Sequence, residues 1–309
     1  MILDAPPPGT LLDAGGVRLH AIVRGEGRPT VVFEAGTWDL GLTWAKVQPD
    51  VSTFTTSVAY DRAGLGWSEG SPAPRTAGSM VDELRALLRA AHLEPPFVLV
   101  GHSFGGLVVR LFAFRHPDEV VGMVLVDAAH EDQLERFPPE VREVQPTLYA
   151  MQIEHLGKVR DQLAAGSPVD PSMVGVPQDL PDEAIAGYRA VVTSSASRIG
   201  TMIAELEGLE ASQEEVRAAR HAGLGDMPLV VISHGEPAPL PPIVGGGPAV
   251  ADAYEASWQE MQVELSRLSS RGSRVVADGS MHMIHHDVPE LVVDAIRDVV
   301  EEVDRRHGR

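Results

Sequence analysis

Short apolar runs that stop at glycine or an acidic residue alternate along this chain with stretches of three-to-four-residue apolar periodicity. That alternation predicts a mainly parallel sheet covered on both faces by helices. The first run, residues 17–23, alternates weakly between polar and apolar positions. Thr30-Val31-Val32-Phe33-Glu34 is more apolar and ends at Ala35-Gly36. Thr56-Ser57-Val58-Ala59-Tyr60 ends at Asp61-Arg62. A helix is predicted over residues 79–91, with Met80, Leu84, Leu87 and Leu88 on one face. A buried strand, Phe97-Val98-Leu99-Val100, then runs into Gly101, and a second helical pattern begins at Leu107, Val108, Leu111 and Phe112. Pro117 ends that helix near His116. Residues 121–127 form another buried strand, closing at Asp127.

From about residue 129 to 223 the strand signals vanish. Helical segments are predicted at 139–156, 181–200 and 203–219, rich in Ala, Glu and Arg. A helical insertion between two sheet strands reads as a cap over the carboxyl edge of the sheet. This gives a core domain of residues 1–128 and 225–309 and a cap of 129–224. Strand character resumes at Pro228-Leu229-Val230-Val231-Ile232. A Pro- and Gly-rich loop follows at 235–247, then a helix at 250–269, a last strand around 273–277 and a closing helix from Pro289 to about Val303.

Composition narrows the function classes. The chain has 309 residues, enough for one large α/β domain with an insertion. It has no cysteine, which removes disulfides, thiolate catalysis and zinc-thiolate sites. The formal net charge of −19 disfavours nucleic acid as a partner. No apolar run approaches the roughly 20 residues that cross a bilayer. Met1 to Gly15 has neither a basic start nor an apolar centre, so no signal peptide is read and a cytoplasmic location is expected.

The chemistry concentrates at Gly101-His102-Ser103-Phe104-Gly105-Gly106. A strand, a tight turn and a helix put Ser103 at an exposed apex, with glycines where side chains would collide across the turn. A serine hydroxyl is a weak nucleophile and needs a base, an orienting carboxylate and N–H donors for the oxyanion. Among 12 histidines, His282 is best placed, in Gly279-Ser280-Met281-His282 just past the last strand. His285 and His286 lie nearer the helix entry and help to shape the loop, and Asp287 is a candidate helix cap. A metal cluster of His282, His285 and His286 is the weaker reading, because no carboxylate pattern stands beside them. Two carboxylates compete for the orienting role. Asp127 follows the sixth strand and Glu236 follows the seventh, and both keep the order Ser, acid, His. Asp127 is favoured because a shorter side chain on a firm strand end holds an imidazole more rigidly. The oxyanion donors are the Phe104 N–H and, from the Glu34–Trp38 loop, Thr37 with Trp38 as the alternative.

Together these segments resemble the α/β-hydrolase superfamily, in its branch of capped serine carboxylesterases. The likeness rests on the oxyanion segment ending at Thr37, on Tyr60-Asp61-Arg62-Ala63-Gly64-Leu65-Gly66-Trp67-Ser68, on Gly101–Gly106 and on Gly279–His282. It implies a mostly parallel eight-stranded sheet with helices on both faces, a helical cap inserted after the sixth strand, and no cofactor or metal. Two positions depart from the pattern. The usual His-Gly of the oxyanion loop reads Ala35-Gly36, and the usual acid position after the seventh strand reads Gly235-Glu236-Pro237. The second departure adds weight to Asp127. Relatives that cleave carbon–halogen bonds or epoxides use a carboxylate nucleophile, so Ser103 argues against both.

The expected reaction is hydrolysis of a small apolar carboxylic ester through an acyl-enzyme. The rivals are lactone, amide or carbon–carbon hydrolysis or acyl transfer by the same residues, a lyase or peroxidase-like use of the site, and a non-catalytic receptor for a small ligand. Met151, Leu156, Tyr188, Met202 and Ile203 are candidates to line an acyl pocket, or else ordinary helix-packing residues.

Overall fold

The computed structural model describes residues 8–307. The strands are β1 (Thr10–Asp13), β2 (Arg18–Arg24), β3 (Thr30–Glu34), β4 (Ser57–Tyr60), β5 (Phe97–His102), β6 (Val120–Val126), β7 (Leu229–His234) and β8 (Gly272–Ala277). The principal helices are α1 (Ala77–Ala90), α2 (Gly105–Arg115), α3 (Pro139–Ala164), α4 (Asp182–Val191), α5 (Ala196–Glu207), α6 (Leu209–Ala219), α7 (Gly247–Ser266) and α8 (Pro289–His307).

All eight strands join one sheet in the order β1-β2-β4-β3-β5-β6-β7-β8. β1 and β2 run antiparallel to their neighbours, and every pairing from β4 to β8 is parallel. The central strands are apolar on both faces because helices cover both. Val31 and Phe33 pack on one side with Trp44 and α8, while Val32 packs on the other with α1 and α2. On α1, Met80, Leu84, Leu87 and Leu88 are buried as one stripe, each worth about 1.5–3 kcal/mol of transfer free energy.

The chain turns from β3 to β4 on one side and then crosses to β5 on the other. β3 and β5 are neighbours in register, Glu34 opposite Gly101. The strand order therefore reverses between them, and their carboxyl ends open a crevice where open α/β sheets bind ligands.

The strand missing from the sequence reading is β1. It is a four-residue, largely exposed edge strand that pairs only with β2, so its residues carry no core pattern. The Met1–Pro7 part of the leader reading lies outside the described residues. Among those described, no helix is long and apolar enough to cross a membrane.

Between β6 and β7 the chain forms α3 to α6. Two of the predicted helices are each broken in two. The stretch at 181–200 divides around Ser194-Ser195, where the Ser195 side chain accepts from the Arg198 N–H and starts α5 afresh. The stretch at 203–219 divides at Gly208, where a Cβ would lie 2.1 Å from the Arg75 carbonyl oxygen. The inserted helices bury Leu156, Val159, Tyr188, Ile199, Met202 and Ile203 against Leu40, Leu42 and Leu65 of the sheet's loops.

Candidate active site

β5 passes into α2 through a turn with Ser103 at φ +51°, a region that L-residues rarely occupy. The turn is held by its own backbone: the Ser103 N–H donates to Val126 O at 3.2 Å, and Ser103 O accepts from Gly106 and Ala129 N–H at 2.9 Å each. A Cβ on Gly105 would sit 2.5 Å from the Ala35 carbonyl oxygen, so only glycine lets α2 begin this close to the β3 loop. The Ser103 hydroxyl has no hydrogen-bond partner among the described residues.

Asp127 follows β6, also at positive φ (+42°), and its carboxylate is wholly buried. Its Oδ2 accepts from His282 Nδ1 at 2.6 Å. Trp258 Nε1 donates to Oδ1 at 2.9 Å, and His234 gives its backbone N–H to Oδ1 at 3.2 Å and its Nδ1 to the carboxylate at 2.9–3.0 Å. Burial alone would push this carboxyl up. The hydrogen bonds from His234 and His282, with the charge of both rings, outweigh it and hold the group well below the usual carboxylate range.

The sequence thus paired His282 with the acid the structure brings to it. Glu236 stays outside: it is exposed, its backbone N–H donates to Ser280 O at 3.0 Å, and its carboxylate has no partner among the described residues. His234, Glu255 and Trp258 were missed. The available signal was the spacing Glu255, Trp258, Gln259, Gln262, which puts polar and indole donors on one face of α7. That face closes over the end of β7, where Gln262 reaches Ala128 O at 2.8 Å and Gln259 reaches His234 O at 3.0 Å.

The loop after β3 is anchored by Arg62. Its guanidinium, buried to 2% exposure, donates to Glu34 at 2.8 Å, to Ala35 O at 2.9 Å and to Gly36 O. On its other edge it meets Glu205 of α5 at 2.7 and 3.0 Å. Glu205 also accepts the Trp38 N–H at 2.6 Å, with Trp38 at φ +49°. Trp38, the alternative oxyanion donor, therefore spends its N–H on Glu205. The N–H groups of Thr37 and Phe104 have no acceptor among the described residues. Burial raises the Glu34 carboxyl despite Arg62, and Tyr60 donates its hydroxyl to it.

Beneath the His282 loop lies a histidine cluster. His285 and His286 are buried, and each ring places Nε2 at 2.9 Å from Thr43 Oγ1. They shape the loop, as their sequence position suggested. Asp287 accepts from Ser280 Oγ at 2.8 Å, and among the described residues its carboxylate makes no bond to a helix N–H, so the expected cap is not formed. The trio His282, His285 and His286 is not the group whose donor atoms converge. Asp39, His102 and His285 converge, and His102 and His285 each keep a buried Nδ1 without a partner. Burial first, and then the neighbouring imidazoles, push His102 and His285 well below the ordinary histidine range. His130, Glu131 and Asp132 also converge, but Arg110, Arg217 and Arg220 already occupy both carboxylates.

Ser103, His282, Thr37 and Phe104 all line one cavity of about 500 Å³ beneath the inserted helices. Its upper wall includes Tyr149, Tyr188, Val192, Met202 and Leu206. Of the suggested pocket residues, Tyr188 and Met202 face the cavity, Leu156 and Ile203 pack inside the insertion, and Met151 is exposed on α3. A second cavity of about 320 Å³ adjoins the first, sharing Tyr149, Leu206 and Leu209. A cavity of about 550 Å³ lies away from this site, against Val120 at the start of β6 and Arg306, and its lining holds no serine, threonine or histidine.

A parallel sheet with a serine turn at its switch point defines a class of hydrolase folds, and comparison with known proteins agrees. Residues 29–167 match the family described as alpha/beta hydrolase fold. The chain is 30% identical over 277 residues to the uncharacterised protein YqjL of Bacillus subtilis (strain 168), covering 89% of this chain and 85% of that one. The chain belongs to the α/β-hydrolase-fold family. A DbjA variant shares the fold at a TM-score of 0.72 and 16% identity, over 96% of this chain and 99% of that one. A protein described as a lipase from Acinetobacter baumannii AYE does so at 0.68 and 18% identity, over 96% and 92%. Family membership supports a hydrolase role.

Proposed function

We propose that the protein is a serine hydrolase of carboxylic esters that works through an acyl-enzyme. The observation that carries this reading is the 2.6 Å bond from His282 Nδ1 to the buried Asp127, with Ser103 and His282 facing the same cavity. Asp127 fixes the tautomer in which His282 Nε2 is free to accept a proton. Ser103 Oγ attacks the ester carbonyl as His282 takes its proton. The carbonyl oxygen becomes an oxyanion that accepts from the Thr37 and Phe104 N–H groups. His282 then protonates the leaving alcohol. Water, deprotonated by His282, attacks the acyl-serine, the acid leaves and Ser103 is restored.

Residues 129–224 act as a cap that selects the acyl group, a reading supported by the cavity wall that α3 to α5 supply. A carboxylate nucleophile, which haloalkane and epoxide chemistry requires, is absent at position 103. The test is labelling by a fluorophosphonate together with turnover of p-nitrophenyl esters of graded chain length. Wild type labels and turns over, and Ser103→Ala does neither. Equal labelling of Ser103→Ala overturns the reading.

A further inference from the structure

The ring of His234, which shares the Asp127 carboxylate with His282, lies between two carboxylates. Its Nδ1 is 2.9–3.0 Å from Asp127, and its Nε2 is 3.0–3.1 Å from Glu255 of α7. A neutral imidazole has one N–H and satisfies only one of these acceptors, whereas an imidazolium satisfies both. The ring is nearly buried, at 6% exposure, and Asp127 is wholly buried, so water does not replace a missing bond on that side, while Glu255 is 23% exposed.

We infer that His234 and Glu255 form a compensated ion pair that sets how readily His282 takes up a proton. This rests on the serine-hydrolase reading above. Asp127, His234 and Glu255 together carry a net charge of −1, and His282 becomes cationic when Ser103 attacks. The positive charge of His234 tempers the pull of Asp127 on that proton, and Glu255 restores part of it from farther away. His234 and Glu255 are positioning residues, since both act through Asp127.

The surroundings agree. Burial alone would lower the His234 ring; the hydrogen bond and charge of Asp127, and then those of Glu255, raise it to about 9. Tyr254, also on α7, is pushed up to about 12 by burial and then by the two carboxylates, so it stays neutral. From β8, Arg274 donates to Ser233 Oγ at 3.0 Å and to Gln259, and the latter donates to Glu255 at 2.7 Å. His282 faces the same carboxylate from the loop after β8. Helix α8, which packs under β7, brings no recorded charged partner to His234 among the described residues.

The test is the rate of fluorophosphonate reaction at Ser103 against pH, followed on the full chain. His234→Asn keeps a donor toward Asp127 and removes the positive charge. Glu255→Gln keeps the volume and removes the negative charge. The acid-side midpoint should rise by about one pH unit in His234→Asn and fall by about half a unit in Glu255→Gln. The double variant should lie between the two, about half a unit above wild type. A purely structural role moves both midpoints the same way or neither, and that result in folded variants overturns the inference. Nitrogen NMR of the labelled wild-type histidines decides independently of folding: a His234 ring protonated on both nitrogens at pH 7 upholds it, and a neutral ring overturns it. Unchanged labelling of Ser103→Ala, by contrast, defeats the serine-nucleophile reading and leaves the NMR result standing.

Discussion

Glu205 tests whether the inserted helices hold the catalytic loop in place. Its side chain is wholly buried and makes three bonds, to the Trp38 N–H at 2.6 Å and to Arg62 Nε and Nη2 at 2.7 and 3.0 Å. Glu205→Ala removes all three and leaves a buried guanidinium with Glu34 as its remaining carboxylate among the described residues, beside the Ala35 and Gly36 carbonyls. Breaking one side of a buried pair costs about 3–5 kcal/mol, which a protein of about 5–15 kcal/mol stability survives at reduced melting temperature. Activity suffers separately. Trp38 adjoins Thr37, and a loop released at Trp38 no longer aims the Thr37 N–H at the oxyanion. Loss of one such donor lowers kcat by about 10²–10³, or about 2.7–4 kcal/mol. The assay pairs kcat and KM on a p-nitrophenyl ester with circular dichroism. The expected outcome is a folded, destabilised protein with a large fall in kcat and little change in KM. A folded Glu205→Ala with kcat within about threefold of wild type, far short of the loss of a donor, would show that the loop holds itself.

Asp127→Asn should lower kcat by about 10³–10⁴, while Glu236→Gln leaves it nearly unchanged; the reverse order would reassign the acid. Gly105→Ala places a methyl 2.5 Å from the Ala35 carbonyl oxygen and 2.6 Å from that of Glu34. Thermal melts should register about 1–3 kcal/mol of overpacking, with activity falling as the Thr37 loop is displaced. His234 is raised from 6.5 to about 9 by folding, so its stabilisation is complete below about pH 6.5 and fades as pH climbs through about 9. Urea unfolding should therefore show wild type losing on the order of 1–3 kcal/mol more than His234→Asn between about pH 6 and 10, and parallel curves would refute the charge assignment. Leu206→Trp, between the two cavities, should cut turnover of long-chain esters and spare acetate; equal loss on both would mean that the second cavity holds no part of the substrate.

The core was legible because the sheet is covered on both faces. Runs such as Val31-Val32-Phe33 and Val98-Leu99-Val100 have one explanation, burial on both sides, and their positions followed from local sequence. β1 was not legible, because an exposed edge strand makes no demand on its side chains. The breaks within the inserted helices were hidden for a different reason. The chain near Gly208 runs against the Arg75 carbonyl, more than a hundred residues earlier in the chain, a contact that no local window contains. The Ser103 turn was readable from two glycines; the collision that Gly101 avoids, with Gly105 O at 2.7 Å, is local, whereas Gly105 clears the distant Ala35 carbonyl. Asp127 was preferred on its short side chain at a firm strand end and on the departure at Gly235-Glu236-Pro237, and the structure brings four donor groups to its carboxylate.

Among the described residues, three of the four non-glycine residues at positive φ are Trp38, Ser103 and Asp127. Each costs of order 1–3 kcal/mol, so this spot holds backbone strain that nothing local repays. Each is fixed by partners from distant sequence: Trp38 by Glu205, Ser103 by Val126 and Ala129, and Asp127 by Ile232, His234, Trp258 and His282. On the proposed mechanism these residues set the Ser103 hydroxyl, the Asp127 carboxylate behind His282 and, next to Trp38, the Thr37 N–H. Relaxing any of them would swing its group away. A sequence can announce the residue at such a point, as Gly101–Gly105 announces Ser103. It announces the restraint only where the restraining residues are near in the chain, and that is why His234, Glu255 and Glu205 came from the fold.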